Sequence, residues 1–318
     1  MQDQIIQFLK KSDSYLSGEE ISRSLNVSRA GIWKYIQELR EDGYDIVAVP
    51  HLGYRLLSCP DKLLPREIGY VLGTKVMGRH VHSHDAVSST MDEAFRLGLQ
   101  GAEEGTVVIA ESQTKGRGRL GRSWVSPKGK GLYFSVILRP RLNPMDVPKL
   151  TLLCAVALRE AVAASTGVQA AIKWPNDLLV NGRKLAGILT ELNAEVERVK
   201  FVVVGFGINV NTSAAHLPPH STSVTLESGQ SAARVAVLQE VLRRLERWYF
   251  QASSEGFEAV LNKWKELSAT IGRRVRISDS GGTVEGEALD LASDGGLVIR
   301  SDAGTLIKKM SGDVVQIG

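Results

Sequence analysis

The sequence predicts an α+β protein, and three contrasts in texture along the chain predict it. Residues 1–57 carry short amphipathic helical patterns closed by a strand-like hairpin. Residues 66–250 mix strands and helices without regular βαβ alternation, which points to a mixed sheet. Residues 270–318 are short strands separated by turns rich in Gly and Asp, the pattern of a small barrel. Linkers are expected at Leu57–Pro65, which holds Pro60 and Pro65, and after a helix ending near Phe250. The working segments are then 1–60, 66–255 and 268–318. No internal repeat or low-complexity tract breaks this plan.

In the first segment Ile5, Ile6 and Leu9 recur at helical spacing. Ser17 followed by Glu20 is a capping box that opens a second helix holding Ile21 and Leu25. After the Asn26-Val27 turn, Ser28 caps a third helix with Ile32, Tyr35, Ile36 and Leu39 on one face. Gly43 stops it, and Tyr44–Val49 and Tyr54–Leu57 flank a His51-Leu52-Gly53 turn that reads as a β wing. Two helices joined by a tight turn form helix-turn-helix geometry. The third helix would enter a major groove and present Ser28, Arg29, Lys34 and Gln37, with Arg40 near a phosphate. The competing reading is a small three-helix interaction domain, because residues 1–57 hold seven Lys/Arg against eight Asp/Glu.

The middle segment opens with a strand at Val81–His84, a loop Asp85–Thr90 and a helix Met91–Leu99. Strands follow at Thr106–Glu111 and Leu132–Leu138, then an amphipathic helix over Pro148–Thr166. Ile172–Trp174 and Asp177–Val180 are extended. Asn181-Gly182 between apolar runs is a strong hairpin signal, so Leu185–Leu192 should pair back antiparallel. Phe201–Val210 is a long apolar strand, and Arg234–Phe250 a helix burying Val237, Val241, Leu245 and Trp248. The last strands are expected at Arg274–Ile277, Thr283–Leu291, Leu297–Arg300, Thr305–Lys309 and Val314–Ile317.

The chemistry concentrates between Lys115 and Gly131, which hold six basic residues, five glycines and no acid. Glycine lets backbone amides approach an anion, and arginine forks match carboxylate and phosphate oxygens. Gly116, Gly121, Arg122 and Ser123 imitate phosphate-loop spacing, but Trp124, Val125 and Pro127 follow where that motif needs a helix, so the phosphate-loop reading is rejected. Gly205-Phe206-Gly207-Ile208-Asn209-Val210 fails as a dinucleotide fingerprint because it lies within a strand. A loop this rich in glycine is costly to order and is expected to be mobile when empty and to fold over its ligand.

Taken together, Ser89-Thr90, Gln113, the run Gly116 to Arg122, Lys173-Trp174-Pro175-Asn176-Asp177, Lys184 to Leu189 and Gly205 to Asn209 resemble the bifunctional biotin–protein ligase/biotin operon repressor family. The resemblance covers essentially the whole chain. It implies a winged helix-turn-helix, a central mixed-sheet biotin/lipoate ligase-like domain and an SH3-like C-terminal β-barrel. It also implies an ATP-dependent, AMP-forming ligase that uses MgATP and biotin to make biotinyl-5′-AMP, then biotinylates a lysine of a biotin carboxyl-carrier domain. By resemblance Ser89, Thr90, Met91 and Gln113 hold biotin, together with Arg117, Gly118, Arg119 and Lys184. Met91 stands where the family commonly has Asn, so a side-chain amide contact is lost there. Arg117, Arg119 and Lys184 are the catalytic candidates; read alone, Lys184 is a solvated lysine after an Asn-Gly turn. Asn176 and Asn209 are candidates for the nucleotide, and Trp124 either packs over it or anchors the loop. Asp177 either binds Mg²⁺ or caps a local turn.

The repressor half of the resemblance implies operator DNA as a partner and a ligand-promoted homodimer. The alternatives are a ligase whose winged helix no longer binds DNA, a lipoate ligase, and a transcription factor with a degenerate ligase domain. The composition adds a location. No run approaches the roughly 18 apolar residues of a membrane helix. MQDQIIQFLKKSD lacks a secretion signal's basic region and apolar core, and Cys59 and Cys154 are isolated. A cytoplasmic protein without a membrane partner is expected.

Overall fold

The structure, a computed structural model, describes residues 1–279 and 281–317. Ser280 and Gly318, inside the segment expected to form the C-terminal barrel, lie outside the described residues. The chain divides into two units, Met1–Lys62 and Leu63–Gly318.

In the first unit α1 (Gln2–Lys10), α2 (Gly18–Leu25) and α3 (Arg29–Glu41) precede the strands β1 (Asp45–Val49) and β2 (Gly53–Ser58). Both serine caps form, the Ser17 hydroxyl accepting from the Glu20 N–H at 3.0 Å and that of Ser28 from the Gly31 N–H at 3.1 Å, while the return bond of a capping box from the Glu20 carboxylate is not present among the described residues. Asn26, left-handed at φ 52°, ends α2 and sets the tight turn into α3. Ile5, Ile6, Leu9, Ile21, Ile32, Ile36 and Leu39 form the buried core. β1 and β2 pair antiparallel, and Leu16 and Tyr54 exchange backbone hydrogen bonds of 2.9 and 2.8 Å, which ties the wing to the chain between α1 and α2. Gly53 permits this approach, since a Cβ there would collide with the Leu16 backbone. Arg40, expected near a phosphate, instead donates twice to the Ile46 carbonyl, at 2.9 and 2.6 Å.

The second unit contains α4 (Pro65–Gly69), β3 (Val81–His84), α5 (Thr90–Leu99), β4 (Val107–Ala110), β5 (Leu132–Leu138) and α6 (Val147–Thr166). After these come β6 (Ala171–Lys173), β7 (Asp177–Val180), β8 (Arg183–Ala194), β9 (Val199–Ile208), α7 (Val224–Ser228), α8 (Arg234–Glu255) and α9 (Glu258–Glu266). The chain ends in β10 (Arg274–Asp279), β11 (Gly282–Leu291), β12 (Leu297–Ser301), β13 (Leu306–Lys309) and β14 (Asp313–Gln316). The central sheet runs β3-β4-β5-β9-β8-β7-β6, with β3 and β4 parallel and every other pair antiparallel. The last five strands form a separate antiparallel sheet, β13-β12-β11-β10-β14, of the SH3-like kind.

Strand alternation sorts the two faces of the central sheet. Phe134, Val136, Val202, Val204 and Phe206 join the core under α6 and α8. Ile137, Phe201 and Val203 face α5 with Met91 and Ala94. The Asn181-Gly182 turn is present, both residues at positive φ, and joins β7 to β8. The stretch expected to be a linker after Phe250 is helical instead: α8 continues to Glu255 and α9 follows with Val260, Leu261 and Trp264 buried. Trp174 bridges the two sheets of this unit; its Nε1 donates to the Gly295 carbonyl at 3.2 Å and its backbone N–H to the Thr270 hydroxyl at 3.0 Å. Among the described residues no helix is long and apolar enough to cross a membrane.

Candidate active site

The α5 side of β9 continues from Phe201 and Val203 to Gly205 and Gly207. There β9 carries no side chain on that side, and a cleft opens. Gly187 of β8 pairs with Gly207 across the ladder, so the floor is bare backbone. The Trp124 indole rests on it, where a Cβ on Gly207 would collide with the ring, and its Nε1 is buried without a partner among the described residues. A Cβ on Gly205 would come within 2.5 Å of the Met91 sulfur.

One end of the cleft is a polar chain. Gln113 Oε1 accepts from the Thr90 N–H at 2.9 Å and the Thr90 hydroxyl at 3.2 Å, while its Nε2 donates to the Ser126 hydroxyl at 3.0 Å. Ser135 donates to the Thr90 hydroxyl at 2.9 Å. Ser89 is the N-cap of α5, yet its side chain caps nothing; it is fully buried and its hydroxyl has no partner among the described residues. Such an orphan is rare in a native interior and fits a group that bonds a ligand or a water.

The arginine loop covers the other end. Arg117 bridges to Ser123 across the loop, Gly118 N–H donates to the Arg122 carbonyl at 2.7 Å, and Leu120 projects from the tip. Half of the loop's six cations meet the protein's own acids. Arg117 pairs with Asp92 and Glu191 at 2.9 Å each, Arg122 with Asp313 at 2.6 Å and Lys128 with Asp85 at 2.7 Å. Arg119 differs: it is largely enclosed and donates at 2.8 Å to a neutral partner, Asn176 Oδ1, and to no carboxylate among the described residues. Burial lowers its pKa from the ordinary arginine value, opposed by the fields of Asp177 and Asp313. An arginine stays charged regardless, so Arg119 is a half-buried cation without a carboxylate partner among the described residues. Lys184 lines the same cleft; its Nζ contacts Asp177 at 2.7 Å and lies 5.6 Å from the centre of the Trp124 ring.

A cation pair over a bare floor, beside a buried amide–hydroxyl chain, suits a ligand with a polar head, an apolar body and an anionic tail. Known proteins narrow this. The sequence pattern of the biotin/lipoate A/B protein ligase family matches residues 83–209, that of an HTH domain residues 2–55, and that of the biotin protein ligase C terminal domain residues 270–315. The bifunctional ligase/repressor BirA of Bacillus spizizenii is 40% identical over 320 residues, covering 99% of this chain and 98% of that protein. The chain belongs to the biotin–protein ligase family. BirA of Escherichia coli is 30% identical over 311 residues, covering 96% and 94%. Among solved structures, the biotin protein ligase from Aquifex aeolicus in complex with biotin and ATP is 30% identical, with a TM-score of 0.64, covering 74% of this chain and 98% of that one.

For a biotin–protein ligase, the residues singled out in the sequence fall into two groups. Thr90, Met91, Gln113, Arg117, Gly118, Arg119, Trp124, Asn176, Asp177 and Lys184 all line the cleft. Ser89 lies just behind its wall. Asn209 is not on the wall; it is buried, and its Nδ2 donates to the Thr222 carbonyl at 3.0 Å. Asn176 does double duty, accepting from Arg119 while donating to the Ile188 carbonyl at 2.8 Å. In the first unit Ser28, Arg29 and Lys34 are exposed and Gln37 half-buried. Two features escaped the sequence reading. Asp313, from the C-terminal sheet, reaches the cleft and grips Arg122. Trp33 lies on the polar face of α3 and is 59% exposed. An aromatic four residues from both Arg29 and Gln37 was a legible signal for the second; nothing local marks the first.

Proposed function

We propose that this protein activates biotin as biotinyl-5′-AMP, passes the biotinyl group to a lysine of a biotin carboxyl-carrier domain, and with the adenylate bound represses transcription as a dimer on operator DNA. Segments 66–255 and 268–318 do the ligase work and 1–60 the DNA binding, in the cytoplasm. The observation that carries the reading is a half-buried Arg119 without a carboxylate partner among the described residues, lining one cleft with Lys184 and the paired glycines.

In the first step a biotin carboxylate oxygen attacks the α-phosphorus of ATP, the bond to the β-phosphate oxygen breaks and pyrophosphate leaves. Two anions must meet, and Arg119 and Lys184 lower that repulsion and hold charge as it shifts. Ser89, Thr90 and Gln113 serve the polar head of biotin, with Met91 walling its body and Arg117 and Gly118 closing over the tail. Trp124, Asn176 and Asn209 serve the nucleotide, Asn209 through the Thr222 segment it holds. Among the described residues no group of three metal-ligating side chains exists. Mg²⁺ characteristically binds one or two carboxylates together with substrate phosphates, and Asp177 on the cleft wall fits that pattern. It would hold the ion, which supplies charge neutralisation on the phosphates. In the second step the acceptor lysine's amine attacks the acyl carbon, the bond to AMP breaks, and the amine gives up its proton.

Pyrophosphate release with biotin and ATP, followed by transfer of labelled biotin to a carrier domain, tests the ligase. No release with biotin but release with lipoate transfers the site to the sister activity. A second reading, a ligase whose winged helix binds no DNA, draws on the acid excess of residues 1–57. A gel shift on the protein's own biotin-synthesis promoter, with and without biotin and ATP, separates the two.

A further inference from the structure

Lys184 sits where strand β8 has lost its neighbour. Pairing of β8 with β9 begins only at Ala186, opposite Ile208. On the far side Lys184 is covered by β7 through Leu179. On the β9 side its backbone is satisfied by a loop: the Lys184 N–H donates to the His220 carbonyl at 2.8 Å, and the Thr222 N–H donates to the Lys184 carbonyl at 2.9 Å. Ser221 thus stands in for the missing strand, as a parallel bridge opposite Lys184.

That substitute strand is held by one carboxylate. Glu227, in α7, has a side chain only 9% exposed. It accepts from the Thr222 hydroxyl, from Arg183 at 2.8 Å and from Asn181 Nδ2 at 3.4 Å. Asn181 and Arg183 belong to the hairpin turn that delivers Lys184, and Thr222 to the segment that braces it. Asn209 grips the same residue from the other side through the Thr222 carbonyl. We propose that Glu227 is a positioning residue for adenylation: it locks the hairpin to the Ser221 segment, and so fixes the backbone from which Lys184 reaches Asp177 and the cleft. A shift of the order of 1 Å in such a lysine costs rate more than biotin affinity, because the groups proposed for the biotin head lie elsewhere. The proposal rests on the ligase reading of Lys184.

Five proteins decide it: wild type, Glu227→Ala, Glu227→Gln, Lys184→Ala and the double variant Glu227→Ala/Lys184→Ala. Wild type must release pyrophosphate with biotin and ATP; if it does not, the ligase reading fails and Glu227 is not implicated. In Glu227→Ala, kcat for pyrophosphate release is expected to fall about tenfold with a much smaller change in the biotin Kd. Glu227→Gln keeps one acceptor oxygen, enough for Thr222 and Arg183, and should recover most of that loss. In the Lys184→Ala background, removing Glu227 should change little further, since both act at one point. Multiplying effects in the double variant, or equal losses of biotin binding and melting temperature in Glu227→Ala, would overturn the proposal and leave Glu227 a general stabiliser.

Discussion

Arg119 differs from the other cations of the site by what surrounds it. Arg117, Arg122 and Lys128 have carboxylate partners and gain little from a further anion, whereas Arg119 is enclosed beside an amide. Lys184 has Asp177, the carboxylate also suited to the metal. Lys184→Ala is therefore expected to cut adenylate formation by well over tenfold, about 1.4 kcal/mol or more of transition-state stabilisation; an unchanged single-turnover rate would refute the role. The Arg122–Asp313 pair makes a pH prediction. Its hydrogen bond holds the Asp313 carboxyl below its ordinary value of 3.8. A depressed carboxylate adds stability above its unfolded pKa and loses it as pH falls through the folded one. The urea midpoint of wild type should thus exceed that of Asp313→Asn at neutral pH, and the gap should close below about pH 4. The pair is exposed enough that the gap is at most about 1 kcal/mol. A gap that persists to pH 2 would show that the pairing is not its source.

At the scale of elements, periodic segments read true and irregular ones did not. The caps at Ser17 and Ser28, the Asn181-Gly182 hairpin and the buried faces of α3 and α8 follow from local rules that need no tertiary context. α4, α7 and α9 went unread: two have five residues, and the third lay in an expected linker although Val260, Leu261 and Trp264 mark one face. The arginine loop's composition suggested that six like charges need an external anion; the fold supplies several carboxylates itself, from Asp85, Asp92, Glu191 and Asp313. The loop nonetheless buries little, with Leu120 and Val125 exposed. Biotin with ATP should slow proteolysis between Lys115 and Gly131 severalfold, and equal cleavage rates would sink the lid. α3 carries its own prediction. Trp33 stands between Arg29 and Lys34 on the exposed face, placed for an apolar base-edge contact such as a thymine methyl. Trp33→Ala should weaken operator binding by about 1–3 kcal/mol while non-specific, salt-dependent binding and adenylation stay unchanged. Parallel losses on operator and random DNA would assign Trp33 to something other than sequence reading.

At the scale of the molecule, a two-half-site operator calls for two copies of the winged helix, and adenylate that favours the dimer must bind the dimer more tightly in return. Sedimentation in the presence of biotin and ATP should move the protein toward a dimer at concentrations where the empty protein is monomeric; identical profiles would remove the link between ligand and assembly. The sequence by itself determined the order of the parts, the helix-turn-helix and wing, the antiparallel hairpin, and the cation-rich loop, because capping, period and turn chemistry act over a few residues. It also carried the family resemblance, through motifs whose order along the chain is specific. Only the tertiary structure decided which cations keep a charge to spare, that paired Gly187 and Gly207 make a floor for Trp124, that Asp313 reaches back to Arg122 across nearly two hundred residues, and that Glu227 braces the backbone of Lys184. Those are facts of long-range pairing and desolvation, and no local pattern encodes them.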